Sequence, residues 1–350
     1  MNGNLIHRAK LILKDRLTKL HFHLLKLQQP RYRRRHPSDV AYLFCDHPVL
    51  TPFILRAARE LQVPIHVLQP GEDVAAYRKV IIPNGMWPTI KSAAEAVPPE
   101  KRVYCEVGFF PQNRNVYFDH LGVHGHSSFR DIELSPLDSA QQATLDSFRE
   151  FYTSRNFVKV SWDTINDDQG MQQSQDSRYR EPFVFVPLQM ESDTAFDLCP
   201  FNSNQEIIDA IQQQLPDKRI IFKTHPWDKD NVYHVSANNL VLPYTNTDLR
   251  ELIIRSEVVV NSNSTVMLEA MLYGKKCASL GIGFATNQQV SLECHDNVER
   301  LRELDQWQPD WQRVDSFLFQ LVSRQISVDF HRSARDTDKL RACFQRYGLA

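Results

Sequence analysis

A chain of 350 residues that is 42% hydrophobic and 24% charged can build one large core or two ordinary ones, which excludes disordered, collagen-like and disulfide-scaffold classes. Its length favours two domains. The formal net charge of -1 hides two opposed parts: residues 1–36 hold ten Lys and Arg against a single acid, Asp15, giving +9, and the remainder carries -10. A basic leader joined to an acidic body points to an anionic contact.

The leader places Leu5, Ile12, Leu17, Leu20, Leu24 and Leu27 near helical spacing with bases between them, then adds the cluster Arg31, Arg33, Arg34 and Arg35. Such a segment suits an anionic membrane surface, and equally a solvated basic helix packed on the body. Nucleic acid is not expected as a partner, because the basic cluster lacks interleaved stacking aromatics and the body is acidic. Lys10, Lys14, Asp15, Arg16 and Lys19 interrupt any signal-peptide core, and no uncharged run approaches the roughly 18 to 20 apolar residues of a membrane span. The six cysteines are widely spaced without a CxxC pair, so zinc ribbons and thioredoxin-type motifs are excluded and buried free thiols of the cytosol are expected. Together these features predict a cytoplasmic protein, peripheral on the inner face of the membrane through residues 1–36.

From residue 37 strands and helices alternate, which predicts an α/β fold with mostly parallel strands. Strands are expected over 39–46, 64–68, 79–83 and 102–110, and helices over 52–61, 89–96 and 139–152. The stretch 162–181 is almost wholly polar and reads as a linker. Alternation restarts with strands at 183–189, 218–226, 257–262 and 275–281 and helices at 206–215, 248–256 and 264–274. The predicted organisation is a leader (1–36), an N-terminal Rossmann-like domain (37–161), a linker (162–182), a C-terminal Rossmann-like domain (183–300) and C-terminal helices (301–350) packing back over both. A ligand cleft is expected between the domains, beyond the carboxyl ends of the strands.

Four segments carry candidate chemistry. In VVVNSNSTVMLEAMLYGKK a buried strand gives way to a small polar loop and a helix start, where free N–H groups and the hydroxyls of Ser262, Ser264 and Thr265 would make a phosphate site. In IIFKTHPWDKD a buried strand delivers Lys223, Thr224 and His225 to its end, suited to an anionic phosphate or carboxylate. Asp228 and Asp230 form a DxD pattern, read as exposed loop acids rather than metal ligands. Two acids sit at strand ends, Asp193 in QMESDT and Glu106 in YCEVGFFPQN, where Gly108 permits a tight turn and Pro111 ends the strand. One acid from each half would face the other across the cleft and divide the work of nucleophile and general acid/base.

The set EVGFFPQ, QMESDT, KTHP and NSTVMLEAMLYGK, in that order, resembles the capsule-polysaccharide-type retaining β-Kdo (3-deoxy-D-manno-oct-2-ulosonic acid) transferases. The likeness runs from about residue 79 to 283 and is specific only in these four motifs. It implies a GT-B fold and a CMP-Kdo donor held mainly by the C-terminal half. It further implies Asp193 as the nucleophile, Glu106 as the base for the acceptor hydroxyl, His225 with Lys223 on the leaving phosphate, and Ser264, Thr265 and Glu269 on the CMP phosphate and ribose. No metal or other cofactor is required, since CMP is a good leaving group. The sequence departs from the family in having Pro111 and Gln112 where an Arg-Ser pair is common, which leaves acceptor contacts unassigned, and Thr194 after the Asp, with Asp197 as a competing nucleophile.

The function expected is transfer of Kdo from CMP-Kdo to a lipid-linked or polysaccharide acceptor of surface-glycan or lipopolysaccharide assembly. The alternatives are a GT-B transferase with another donor, such as CMP-sialic acid, a UDP-sugar or CDP-glycerol, and a non-catalytic glycan-binding or scaffold domain.

Overall fold

The computed structural model describes residues 38–45, 47, 49–68, 72–154, 181–226, 228, 231–243, 249–327 and 337–350. The leader, 1–36, and all but the last two residues of the expected linker, 162–182, lie outside the described residues. Elements appear in the order β1 (Val40–Leu43), α1 (Leu50–Glu60), β2 (His66–Leu68), β3 (Lys79–Pro83), α2 (Pro88–Ala96), β4 (Arg102–Val107), β5 (Asn115–Asp119) and α3 (Ser139–Thr153). Then come β6 (Val184–Pro187), α4 (Asn204–Gln214), β7 (Ile220–Lys223), β8 (Leu240–Leu242), α5 (Leu249–Arg255), β9 (Val258–Asn261) and α6 (Val266–Leu272). The chain ends with β10 (Lys276–Ser279), β11 (Leu292–Glu293), α7 (Trp311–Arg324), β12 (Ile326–Ser327) and α8 (Thr337–Arg346).

The chain divides into two compact units. The first holds the described part of Met1–Val107 with Val116–His120 and Ile326–Ala350, and the second holds Gly108–Asn115 and the described part of Leu121–Gln325. Each is built on its own six-stranded sheet. The expected α/β class with two Rossmann-like halves is borne out.

In the first sheet the strand order is β12-β5-β4-β3-β1-β2. β1 pairs in parallel with β2 and β3, β3 pairs in parallel with β4, and β5 runs antiparallel to β4. Both faces of these strands are covered, which is why VAYL and VIIP read as unbroken apolar runs rather than alternating ones. The core joins Val40, Tyr42, Phe53, Ile54, Ile81 and Val103 to Leu340 and Phe344 of α8.

In the second sheet the order is β11-β10-β9-β6-β7-β8, with every pair parallel. In chain order this is 3-2-1-4-5-6 read from β8, so the direction of winding reverses between β6 and β9, where such sheets bind their ligands. Val184, Val186, Phe222, Val260, Ala278 and Leu280 face Ile207, Ile208 and Ile211 of α4 in its core.

Three findings revise the expected layout. The strand expected over 102–110 stops at Val107, because the Gly108 N–H donates to the Asn115 carbonyl at 2.6 Å and the chain folds back into β5. Gly108 serves close approach rather than a turn conformation, since a Cβ there would lie 2.6 Å from the Cβ of Asn115. The division after residue 161 falls instead near Val107, because Phe109 and Phe110 pack on Phe129, Phe284, Phe148 and Tyr152 and so belong with the second unit. The C-terminal residues, expected as helices over both halves, split: α7 belongs to the second unit, while β12 and α8 belong to the first. Four of the six free cysteines are buried, as expected, and Cys199 and Cys343 are partly so. Among the described residues no helix is long and apolar enough to cross a membrane.

Candidate active site

The carboxyl edge of the second sheet gathers most of the residues singled out in the sequence. β6 and β9 are paired only through Val184↔Val258 and Phe185↔Val259, although each strand continues for two more residues. Their ends therefore part. The opening is bridged by side chains: Gln189 Nε2 donates to Asn263 Oδ1 at 2.7 Å, and Asn263 Nδ2 donates to the Ile282 carbonyl at 3.3 Å.

Asp193 follows β6. Its N–H donates to the Met190 carbonyl at 3.0 Å, and its own carbonyl accepts from Phe196 N at 2.8 Å, which starts the short helical turn Thr194–Leu198. Asp193 is half-buried, whereas Asp197, the competing acid, is exposed. On the β7 side Lys223 ends the strand at 7% exposure, and the half-buried His225 follows. Asp228 turns back on this loop, its N–H bonded to the His225 carbonyl at 2.9 Å and its carboxylate accepting from Tyr233 at 2.5 Å. Asp230, the second acid of the DxD pattern, lies outside the described residues.

On the β9 side Ser262 and Thr265 are buried and Ser264 is half-buried. The free N–H groups expected at the start of the following helix are largely taken. Val266 N donates to Ser264 Oγ at 3.2 Å, Met267 N to the Ser264 carbonyl at 3.1 Å, and Leu268 N to the Thr265 carbonyl at 3.0 Å. A phosphate here would rest on side-chain hydroxyls and the neighbouring cations rather than on open helix amides. Glu269, expected on the ribose, is buried and accepts a hydrogen bond from Tyr152 of α3, so it also ties α6 to α3. Burial, and then the Glu269 charge, push the Tyr152 phenol well up.

One residue at this edge escaped the motifs. His124 opens a short turn, His124–His126, that packs on the Thr194–Leu198 turn. Burial pushes its imidazole down, the Asp193 carboxylate opposes that shift, and His126 adds to it.

Glu106 belongs to the first unit, as the next-to-last residue of β4, and is 4% exposed. Its Oε1 accepts from Val107 N at 2.7 Å and its Oε2 accepts from Asn84 Nδ2. Asn84 lies in the left-handed region at φ 56°, and its Oδ1 accepts from Met86 N and Trp87 N at 2.9 and 3.1 Å. It thus clamps Glu106 to the start of α2. Beside it at the end of β1, the His47 ring stacks on Trp87 at 5.3 Å, and its Nδ1 accepts from Val49 N and Leu50 N at 3.2 and 3.1 Å. Asp193, Lys223, His225, Ser262, Ser264 and Thr265 therefore share one sheet edge, while Glu106 stands in the other unit with its own positioning group.

The fold is GT-B-like, and one segment of the sequence is similar to a family of capsule-polysaccharide synthesis. Residues 149–285 match the family model described as capsule polysaccharide biosynthesis protein. Two solved structures from Thermosulfurimonas dismutans KpsC share the fold: its beta Kdo 2,4 transferase at TM-score 0.61 and 12% identity, and its beta Kdo 2,7 transferase at 0.56 and 14%. Each match covers 89% of this chain and 99% of the other. Protein FixF of Sinorhizobium fredii (strain NBRC 101917 / NGR234) is 28% identical over 250 residues, 68% of this chain, and the chain spans 58% of that curated relative. The resemblance to capsule-polysaccharide-type transferases is borne out, in sequence over 149–285 and in fold by the two KpsC structures.

The His47 contacts have a pH signature. Burial pushes this imidazole from 6.5 down to about 4, and its unprotonated Nδ1 accepts two N–H groups. A lowered folded-state pKa means stability present above pH 6.5 and lost as pH falls from there toward 4, by up to about 3 kcal/mol. His47→Asn retains an acceptor without the titration. Urea unfolding between pH 7.5 and 4.5 is expected to show a flatter profile for this variant than for the wild type, and equal profiles would refute the assignment.

Proposed function

We propose that the chain transfers Kdo from CMP-Kdo to a surface-glycan or glycolipid acceptor with retention of configuration. The observation that carries this is that Asp193, Lys223, His225, Ser262, Ser264 and Thr265 all follow strands that end at one edge of the second sheet, where β6 and β9 part. A half-buried carboxylate at the same sheet edge as two cationic side chains and three hydroxyls suits attack on a sugar carbon whose leaving group is a phosphate.

In the first step an Asp193 oxygen attacks the anomeric carbon. The carbon–oxygen bond to phosphate breaks, and CMP departs with the electron pair, its charge met by Lys223 and His225. In the second step the acceptor hydroxyl attacks the same carbon, Glu106 takes its proton, and the Asp193 carboxylate is released. Two inversions restore the starting configuration. Ser264 and Thr265 hold the nucleotide phosphate. The basic leader, 1–36, keeps the enzyme beside a lipid-linked acceptor.

Incubation with CMP-Kdo followed by intact-protein mass spectrometry tests the chemistry. Glu106→Gln is expected to accumulate one Kdo on the protein, with turnover lowered roughly 100-fold or more, because loss of the base stalls the second step. Asp193→Ala is expected to carry no adduct and to lose on the order of 10³ in turnover. An absence of adduct on both wild type and Glu106→Gln, or full turnover by Asp193→Ala, overturns the mechanism. For the leader, co-sedimentation with anionic liposomes is expected to weaken steadily with added salt and to vanish on deletion of 1–36. Binding that ignores both salt and the deletion contradicts its assignment.

A further inference from the structure

A 2-ulosonic acid carries its carboxylate on the very carbon that Asp193 would attack, so donor binding brings two carboxylates side by side. Two such groups at close range do not both stay ionised without a cation or donor to meet their charge. We propose that His124 receives the carboxylate of the donor sugar: its imidazole, protonated as the donor binds, stands with Asp193 and selects acidic ulosonic sugars over neutral ones. This rests on the transfer proposed above and names how that same site recognises its substrate class.

The geometry at His124 is that of a built position. Its φ of 50° lies in the left-handed region, which a residue other than glycine seldom adopts without support. The support is visible on both sides. Gly125 is pressed so close to the loop after β10 that a Cβ would lie 2.6 Å from the Ile282 carbonyl oxygen, and its own carbonyl accepts from Arg130 at 2.8 Å. The His124 ring tilts against Phe284 at 5.8 Å, and Phe284 is fixed by edge contacts with Phe109 and Phe129 at 5.1 and 6.0 Å. The turn it opens packs on the turn that Asp193 starts. The left-handed backbone thus holds an imidazole beside the acid that is the nucleophile.

The surrounding charges set the direction of the response. Asp193 acts to raise the His124 pKa, burial and His126 act to lower it, and Arg130 bonds the neighbouring carbonyl. Burial prevails, so the imidazole is held below its ordinary range before a donor arrives. A second carboxylate adds to the pull of the Asp193 charge and draws a proton onto the ring. Donor binding is therefore expected to weaken as pH rises through neutrality.

Steady-state CMP release from CMP-Kdo across pH 6 to 8.5 tests this, with CMP itself as the competing ligand that lacks the carboxylate. His124→Asn keeps a side chain that tolerates the left-handed region but removes the charge. It is expected to raise the KM for CMP-Kdo about tenfold or more and leave the Ki of CMP unchanged, since only the donor offers a carboxylate to the lost charged partner. The wild-type KM is expected to climb with pH and the variant's to stay level. An unchanged KM in a variant that still binds CMP, or a wild-type KM without pH dependence, overturns the role of His124 and leaves the transferase activity standing. If His124→Asn binds no CMP, the wild-type pH profile alone decides. Failure of the wild type to release CMP at all overturns both.

Discussion

The second unit turns on the hydrogen bond between Gln189 and Asn263. A parallel sheet that winds outward in two directions from β6 must let β6 and β9 diverge at their carboxyl ends, and two strands that part expose polar groups no ladder satisfies. Gln189 and Asn263 meet across that gap at 2.7 Å. The bond is one link in a line of amides. Asn204 Nδ2 donates to the Gln189 carbonyl at 2.7 Å, and Asn263 passes the connection on to the Ile282 carbonyl. Helix α4, strands β6 and β9 and the loop after β10 are thereby fixed in one network, in which each member polarises the next. Asp193 leaves this network on one side, and Ser262 to Thr265 leave it on the other.

That arrangement resolves the charge pattern of the chain. A body carrying -10 outside its leader is a poor general receptor for any anion, the proposed donor included. The topology answers locally, because neighbouring parallel strands end at one edge and β7 brings Lys223 and His225 to the same edge from which the Asp193 loop leaves β6. His124 arrives from a distant part of the sequence to the same place. The first unit shows a comparable economy: Asn84 serves both Glu106 and the start of α2, and a carboxylate held by two donors keeps a fixed aim.

Much of this was legible in the sequence, for definite reasons. Strands buried on both faces leave continuous apolar runs, so VIIP was placed to the residue and FVFV nearly so. The motifs KTHP and NSNST were legible because they follow such strands directly. The short strands β8, β11 and β12, of three, two and two residues, were missed because their pairing comes from tertiary neighbours and not from any pattern of their own. The unit boundary near Val107 was hidden because it depends on where the Phe109 and Phe110 rings bury, and composition does not record that. Asn84 could have been found: an Asn-Gly pair after an apolar strand is a turn signal, and both residues take positive φ. His124 had no local signal, since its meaning comes from Asp193, 69 positions later.

Amide hydrogen exchange of the full chain with and without CMP reads out whether, and where, the nucleotide meets the fold. CMP is expected to slow exchange at the carboxyl edge of the second sheet, over residues 189–193, 223–225 and 262–266, and to leave β1 to β4 unchanged. Protection confined to the first unit, or none at that edge at saturating CMP, would contradict it.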